Sequence, residues 1–110
     1  MPNAVLFLDP HEVTAPATLD SVLVNRGDKN LSYGLAYQFE YWNGEQWKDS
    51  GIDTGVFTEI AFPLGPGEIG DPHPVKIPAG IYSGFYRVTK NVTEDEPGSN
   101  FTLNALFQVR

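Results

Sequence analysis

Trp42 and Trp47 stand on either side of Asn43-Gly44, and the geometry of that turn decides whether they could hold a ligand. Asn-Gly between two apolar runs is a strong hairpin signal. With a two-residue type I′ turn, Trp42 faces Glu45 and Glu40 faces Trp47. Trp42 and Trp47 then lie diagonally on the face opposite Tyr37, Phe39 and Tyr41. An exposed aromatic platform beside a carboxylate suits stacking on a sugar ring or anchoring a protein partner. With a three-residue loop over 42–44 and Gly44 in a G1 bulge, Tyr41 faces Glu45 and Phe39 faces Trp47. Trp47 then points into the core. The inward placement of Trp47 is preferred, because a small β-domain needs large aromatics inside. Trp42, Trp47, Tyr41 and Glu40 are the candidate ligand-binding residues.

The remaining chemistry-bearing residues are sparse. Glu94-Asp95-Glu96 offers clustered oxygens of the kind calcium takes, so Asp95, Glu94 and Glu96 are the calcium candidates. The D-x-[DN]-x-[DN]-G pattern is missing, and an acidic triplet on a turn ordinarily just solvates it. Asp49 and Asp53, flanking Gly51, are weighed the same way. His11 and His73 sit beside prolines with no second ligand at i+2 or i+4, which reads as two solvated loop histidines rather than a metal or catalytic site. The sequence contains no Gly-x-Ser-x-Gly elbow, His-Glu-x-x-His or phosphate-binding glycine loop, and Gly65-Pro66-Gly67 has a proline where an N–H is needed. Asn30, Asn91 and Asn100 each begin an Asn-x-Ser/Thr sequon, the acceptor pattern for N-glycosylation. No catalytic residue, resident metal or cofactor is expected.

Bulk properties narrow the partners. The 110 residues allow one core, and 41% hydrophobic content is enough to fill it. A net charge of −7, with seven scattered Lys and Arg, leaves no basic footprint for nucleic acid or an anionic membrane. No apolar run reaches the length of a membrane span, and Met1-Pro2-Asn3-Ala4 lacks the regions of a signal peptide. There is no cysteine, so disulfides and thiolate chemistry are excluded.

The elements that must position these residues are strands. Residues 35–41 alternate strictly, with Leu35, Tyr37, Phe39 and Tyr41 on one side and Ala36, Gln38 and Glu40 on the other. Further strands are expected at 5–8, 18–25, 45–49, 56–63, along the proline-bearing edge up to Ile77, and at 85–92 and 101–109. Eleven glycines and nine prolines, spread along the chain, close them off. Seven or eight short strands with a turn every dozen residues predict one all-β domain over residues 1–110, an immunoglobulin-like antiparallel sandwich. Tyr86 on the penultimate strand is read as a tyrosine corner, with Gly84 allowing a bulge or close backbone approach.

The succession Asn25, Ser32-Tyr33-Gly34, Tyr37, Glu40, Gly44, Trp47, Leu64-x-Pro66-Gly67-Glu68, Gly84-x-Tyr86-Arg87-Val88-x-Lys90 and Phe107-x-Val109 resembles a bacterial Ig-like domain family. Its members sit in secreted or lipid-anchored proteins, mainly of Gram-positive bacteria. The resemblance spans about nine-tenths of the chain and implies a β-sandwich, an extracellular or cell-surface location and no established activity. The chain departs from the pattern at 78–83 and in the turn 93–100. A weaker resemblance, in the Pro-Gly-Glu turn and a late tyrosine-bearing strand, is to small Ig-like proteinase inhibitors. It would put an inhibitory loop at 51–55 or 69–77. The expected function is a non-catalytic accessory module, a monomeric spacer or a domain binding protein or carbohydrate.

Overall fold

The computed structural model describes residues 3–96 and 98–110. Met1, Pro2 and Pro97 lie outside the described residues, and with them part of the N-terminal segment and of the acidic turn. Ten strands and no helix form among the described residues: β1 Ala4–Asp9, β2 Glu12–Val13, β3 Ala17–Asn25, β4 Leu31–Tyr33, β5 Gln38–Trp42, β6 Trp47–Asp49, β7 Phe62–Leu64, β8 His73–Ile77, β9 Gly84–Glu94 and β10 Ser99–Val109. One sheet runs β1-β3-β8. The other runs β2-β10-β9-β4-β7, with β5 and β6 attached through β9. The expected sandwich is what the chain builds, with ten strands where seven or eight are expected and antiparallel pairing except between β2 and β10, which run parallel.

β9 and β10 are the spine. Both are eleven residues long and pair along their full length, from Ser99 opposite Glu94 to Val109 opposite Gly84. Strict alternation explains them: Tyr86, Val88, Lys90 and Val92 face in, as do Ala105, Phe107 and Val109. On its other edge β9 pairs first with β5 and then with β4. These two strands are halves of one, broken at residues 34–37.

The break corrects the strand expected from residue 35. Strand pairing begins only at Gln38, although Tyr37 and Phe39 do face the core. The Ala36 carbonyl turns toward the Lys90 ammonium (3.3 Å), and the Tyr37 hydroxyl crosses to the opposite sheet to accept from the Lys76 N–H (3.0 Å). Residues 56–63 are a second correction. Only Phe62–Leu64 pairs with β4, while Val56 is fully exposed and Phe57 alone packs inward on Tyr37.

Two buried clusters meet at Leu103. One gathers Leu6, Leu19, Tyr37, Phe39, Val75, Tyr86 and Phe107, and the other gathers Leu23, Leu31, Tyr33, Leu64 and Val92. Phe39 and Phe107 meet edge to face at 5.7 Å, and Phe107 stacks on Tyr86 at 5.5 Å. Each such ring removed from water contributes about 1.5–3 kcal/mol.

In a body measuring 40 × 28 × 22 Å, Asn3 and Val109 lie at opposite poles of the β9–β10 ladder. At the first pole Arg26 N donates to the Asn3 carbonyl, Asn25 binds the Leu64 carbonyl, and Leu31 pairs with both Leu64 and Glu94. At the other, Val109 pairs with Gly84. The eleven-residue ladder between them covers on the order of 30 Å.

Candidate functional site

The β5–β6 hairpin adopts neither of the two turns expected from Asn43-Gly44. Its loop is four residues long, 43–46, and Trp42 pairs directly with Trp47. Asn43 causes this: its Oδ1 accepts from the N–H groups of Glu45 and Gln46, both at 2.8 Å, and its own N–H donates to the Gln46 carbonyl. Gly44 takes the left-handed turn position at φ +99°. The preferred inward placement of Trp47 is therefore overturned. Directly opposed residues share a face, so both indoles lie on the outer side of the sheet, their centroids 5.5 Å apart.

Glu40 shares that outer side, and its neighbour across β9 is Arg87. Arg87 Nε donates to Glu40 Oε1 at 2.5 Å, while the guanidinium lies 4.7 Å from the centre of the Trp47 ring. Hydrogen bond and cation–π contact together hold a planar cation in one place. Arg87 stands in the motif shared with the bacterial Ig-like pattern but not among the candidate site residues. Its position was readable, since Phe85, Arg87, Thr89 and Asn91 form the outward set of β9 once Tyr86 and Val88 are inward.

Beyond Arg87 the outer face becomes uncharged and polar. Gln38 lies beside Thr89, which lies beside Asn104. One row further, Thr102 Oγ1 donates to Asn91 Oδ1 at 3.1 Å, and then Thr93 Oγ1 donates to Asn100 Oδ1 at 2.7 Å. Two of the sequons thus appear as antiparallel neighbours whose Asn and Thr bond across the ladder. An open trough of ≈ 540 Å³ runs over this region between Glu40, Arg87 and Asn104.

Tyr41 separates from the other candidates. It lines a groove of ≈ 560 Å³ at the Gly84 end of β9 with Tyr82 and Tyr86, and the outward-facing Trp42 and Phe85 line the same groove. Tyr86 donates to the Tyr82 carbonyl at 2.6 Å, which is the expected tyrosine corner.

Asp49 and Asp53 close turns, accepting from Gly51 N at 2.9 Å and Gly55 N at 2.8 Å. In the acidic triplet, Glu94 ends β9 and Asp95 Oδ1 accepts from the Ser32 hydroxyl at 2.8 Å. Among the described residues no three His, Asp or Glu side chains gather as a metal site. His11 is exposed, but His73 departs from the solvated reading. It opens β8 inside an aromatic niche, 4.7 Å from the Phe62 ring and 5.9 Å from Tyr33, with Nε2 buried and unpartnered. Burial, then Lys90, holds its pKa below the usual histidine value, partly offset by Asp71. Of the two inhibitory-loop positions, 69–77 is no projecting loop, since β8 occupies its second half and Ile69 bridges to Val24.

A family model described as bacterial Ig-like domain matches residues 2–108. No curated protein sequence matches the chain. Among solved structures, the ASH / PapD-like domain of human CEP192 (PapD-like domain 7) is similar at 14% identity and a TM-score of 0.48, over 96% of this chain and 84% of that one. That likeness is too distant to bear on function. No helix of the described residues is long and apolar enough to cross a membrane.

Proposed function

Starting from the fact that the chain belongs to the bacterial Ig-like domain family, we propose that it is a non-catalytic binding module of a bacterial surface or secreted protein. Its contact surface is the outer face of β5, β6 and β9. The observation that carries this reading is the Trp42–Trp47 pair, which lies on the solvent side with Arg87 fixed over it by Glu40. Tryptophan and arginine are the side chains most enriched among binding anchors, and a held arginine loses little freedom on binding. The test compares labelled wild-type domain with W42A and R87A on intact bacteria, isolated cell wall and immobilised matrix proteins. Retention of the wild type and loss by W42A supports the face. Equal behaviour of all three on every surface removes it.

A spacer role is favoured by a separate observation, the placement of Asn3 and Val109 at opposite ends of the β9–β10 ladder. That arrangement strings modules end to end, and it is compatible with a binding face on the flank. It requires a monomer, which sedimentation equilibrium measures directly.

A further inference from the structure

Resting on that reading of the outer face, we propose that its ligand is a neutral oligosaccharide lying along β9, with one sugar ring on Trp42. A sugar ring has an apolar C–H face and a rim of hydroxyls that both donate and accept. The face offers the same sequence of features. Trp42 supplies an aromatic plane at one end, 40% exposed and free of the cation that covers Trp47. Gln38, Thr89 and Asn104 follow in one row, and amide and hydroxyl groups donate and accept as sugar hydroxyls do. Arg87 joins the two regions. Its Nε is taken by Glu40, which orients the remaining guanidinium N–H groups without further ordering on binding.

Competing ligand classes fit less well. An extended peptide adds to a sheet through unpaired backbone groups, but β5 and β9 are paired on both edges, and the open edge of β6 is only three residues long. A polyanion meets a chain of net charge −7, and Arg87, the one cation on this face among the described residues, is already neutralised by Glu40. An apolar partner would leave the amide row without hydrogen bonds. From the level of Trp42 to the Asn91–Thr102 row is six residues of β9, on the order of 20 Å. That length takes several sugar units, so affinity is expected to grow with chain length.

The experiment is calorimetric titration of the intact domain with xylopentaose, cellopentaose and chitopentaose, their monosaccharides, and polygalacturonate as the anionic control. The expected result is binding of at least one neutral pentasaccharide, at least tenfold weaker binding of its monosaccharide, and none of polygalacturonate. W42A should lose on the order of tenfold in affinity, as an anchor does, and N104A several-fold, with unfolding transitions unchanged. If no neutral pentasaccharide binds while W42A abolishes retention on a matrix protein, the face is a contact surface and the sugar assignment is wrong. If no pentasaccharide binds and W42A changes nothing on any surface, both readings fall together. Sugar binding that survives in both W42A and N104A places the site elsewhere and also overturns the proposal.

Discussion

The hydroxyl of Tyr86 donates to the carbonyl of Tyr82, four residues earlier, at 2.6 Å. The bond ties the loop before β9 to a ring already stacked on Phe107, so loop and core share one side chain. Y86F keeps the ring and removes only the hydroxyl. Because Tyr82 is 88% exposed, water can replace the lost donor, and the expected loss is about 1 kcal/mol or less. Urea unfolding should show this, with faster amide exchange confined to residues 80–84.

Asn25 carries a larger share of stability. Its Nδ2 is within hydrogen-bond distance of the carbonyls of Lys29, Leu64 and Gly65, and its Oδ1 accepts from Gly27 N. The side chain thereby joins the end of β3 to the Pro66-Gly67-Glu68 turn, which Glu68 also closes by accepting from Gly65 N. Asn25 is 1% exposed, so water cannot take over its partners. N25A is expected to cost about 2–4 kcal/mol, and N25D at least as much, because a carboxylate would face three carbonyls. Denaturant midpoints of the two variants check the order.

The long strands are legible in the sequence because alternation and turn residues agree there, as in β3, β9 and β10. The stretch 56–61 carries β-branched and aromatic residues but does not alternate, and it finds no neighbouring strand; composition alone does not count neighbours. Tyr37 and Phe39 are read on the correct side even though the backbone breaks before Gln38. The reason for that break, a carbonyl recruited by Lys90 some fifty positions away in sequence, is not local. The tryptophan register fails for a similar cause. Asn-Gly signals a turn, but the Asn43 side chain selects its length by capping two N–H groups. Of the candidate site, Trp42, Trp47 and Glu40 come together. Arg87 needs the β5–β9 register to join them, and the same register sends Tyr41 to the groove.

Gly70 lies against Tyr33 so closely that a methyl group there has no room. A Cβ would stand 2.5 Å from the Tyr33 hydroxyl and 3.2 Å from the Leu23 carbonyl, which already accepts from Gly70 N. Tyr33 cannot swing away freely, since its ring meets Phe62 at 5.6 Å and His73 at 5.9 Å. G70A should therefore destabilise by about 1–3 kcal/mol. Removing the hydroxyl in Y33F should return part of that loss, so the double mutant is more stable than the sum of the single effects predicts. Strict additivity would show that the clash is relieved elsewhere.

Lys90 is the one buried charge among the described residues, 4% exposed at the seam between the two core clusters. Among the described residues no carboxylate pairs with it. The Ala36 carbonyl at 3.3 Å and the Tyr33 ring at 5.7 Å are its compensation. Burial pulls its pKa from 10.5 down to about 8. Above the unfolded value both states are neutral and the core is intact. As pH falls toward 8 the unfolded chain binds the proton first, so stability declines through that window and levels off below it. The full span is at most about 3 kcal/mol. Tyr33 and Tyr86 act oppositely, since burial raises both pKa values, with Asp71 adding to Tyr33. Their contribution is present below pH 10 and lost as the unfolded tyrosines ionise. Unfolding free energy should thus rise from pH 8 to a maximum near pH 10 and then fall. K90M removes the charge and leaves only the Ala36 carbonyl unpaired, a cost of about 1 kcal/mol. The variant should be more stable than wild type at pH 7 and show no rise between pH 8 and 10. An identical rise in K90M would assign the pH dependence to another group.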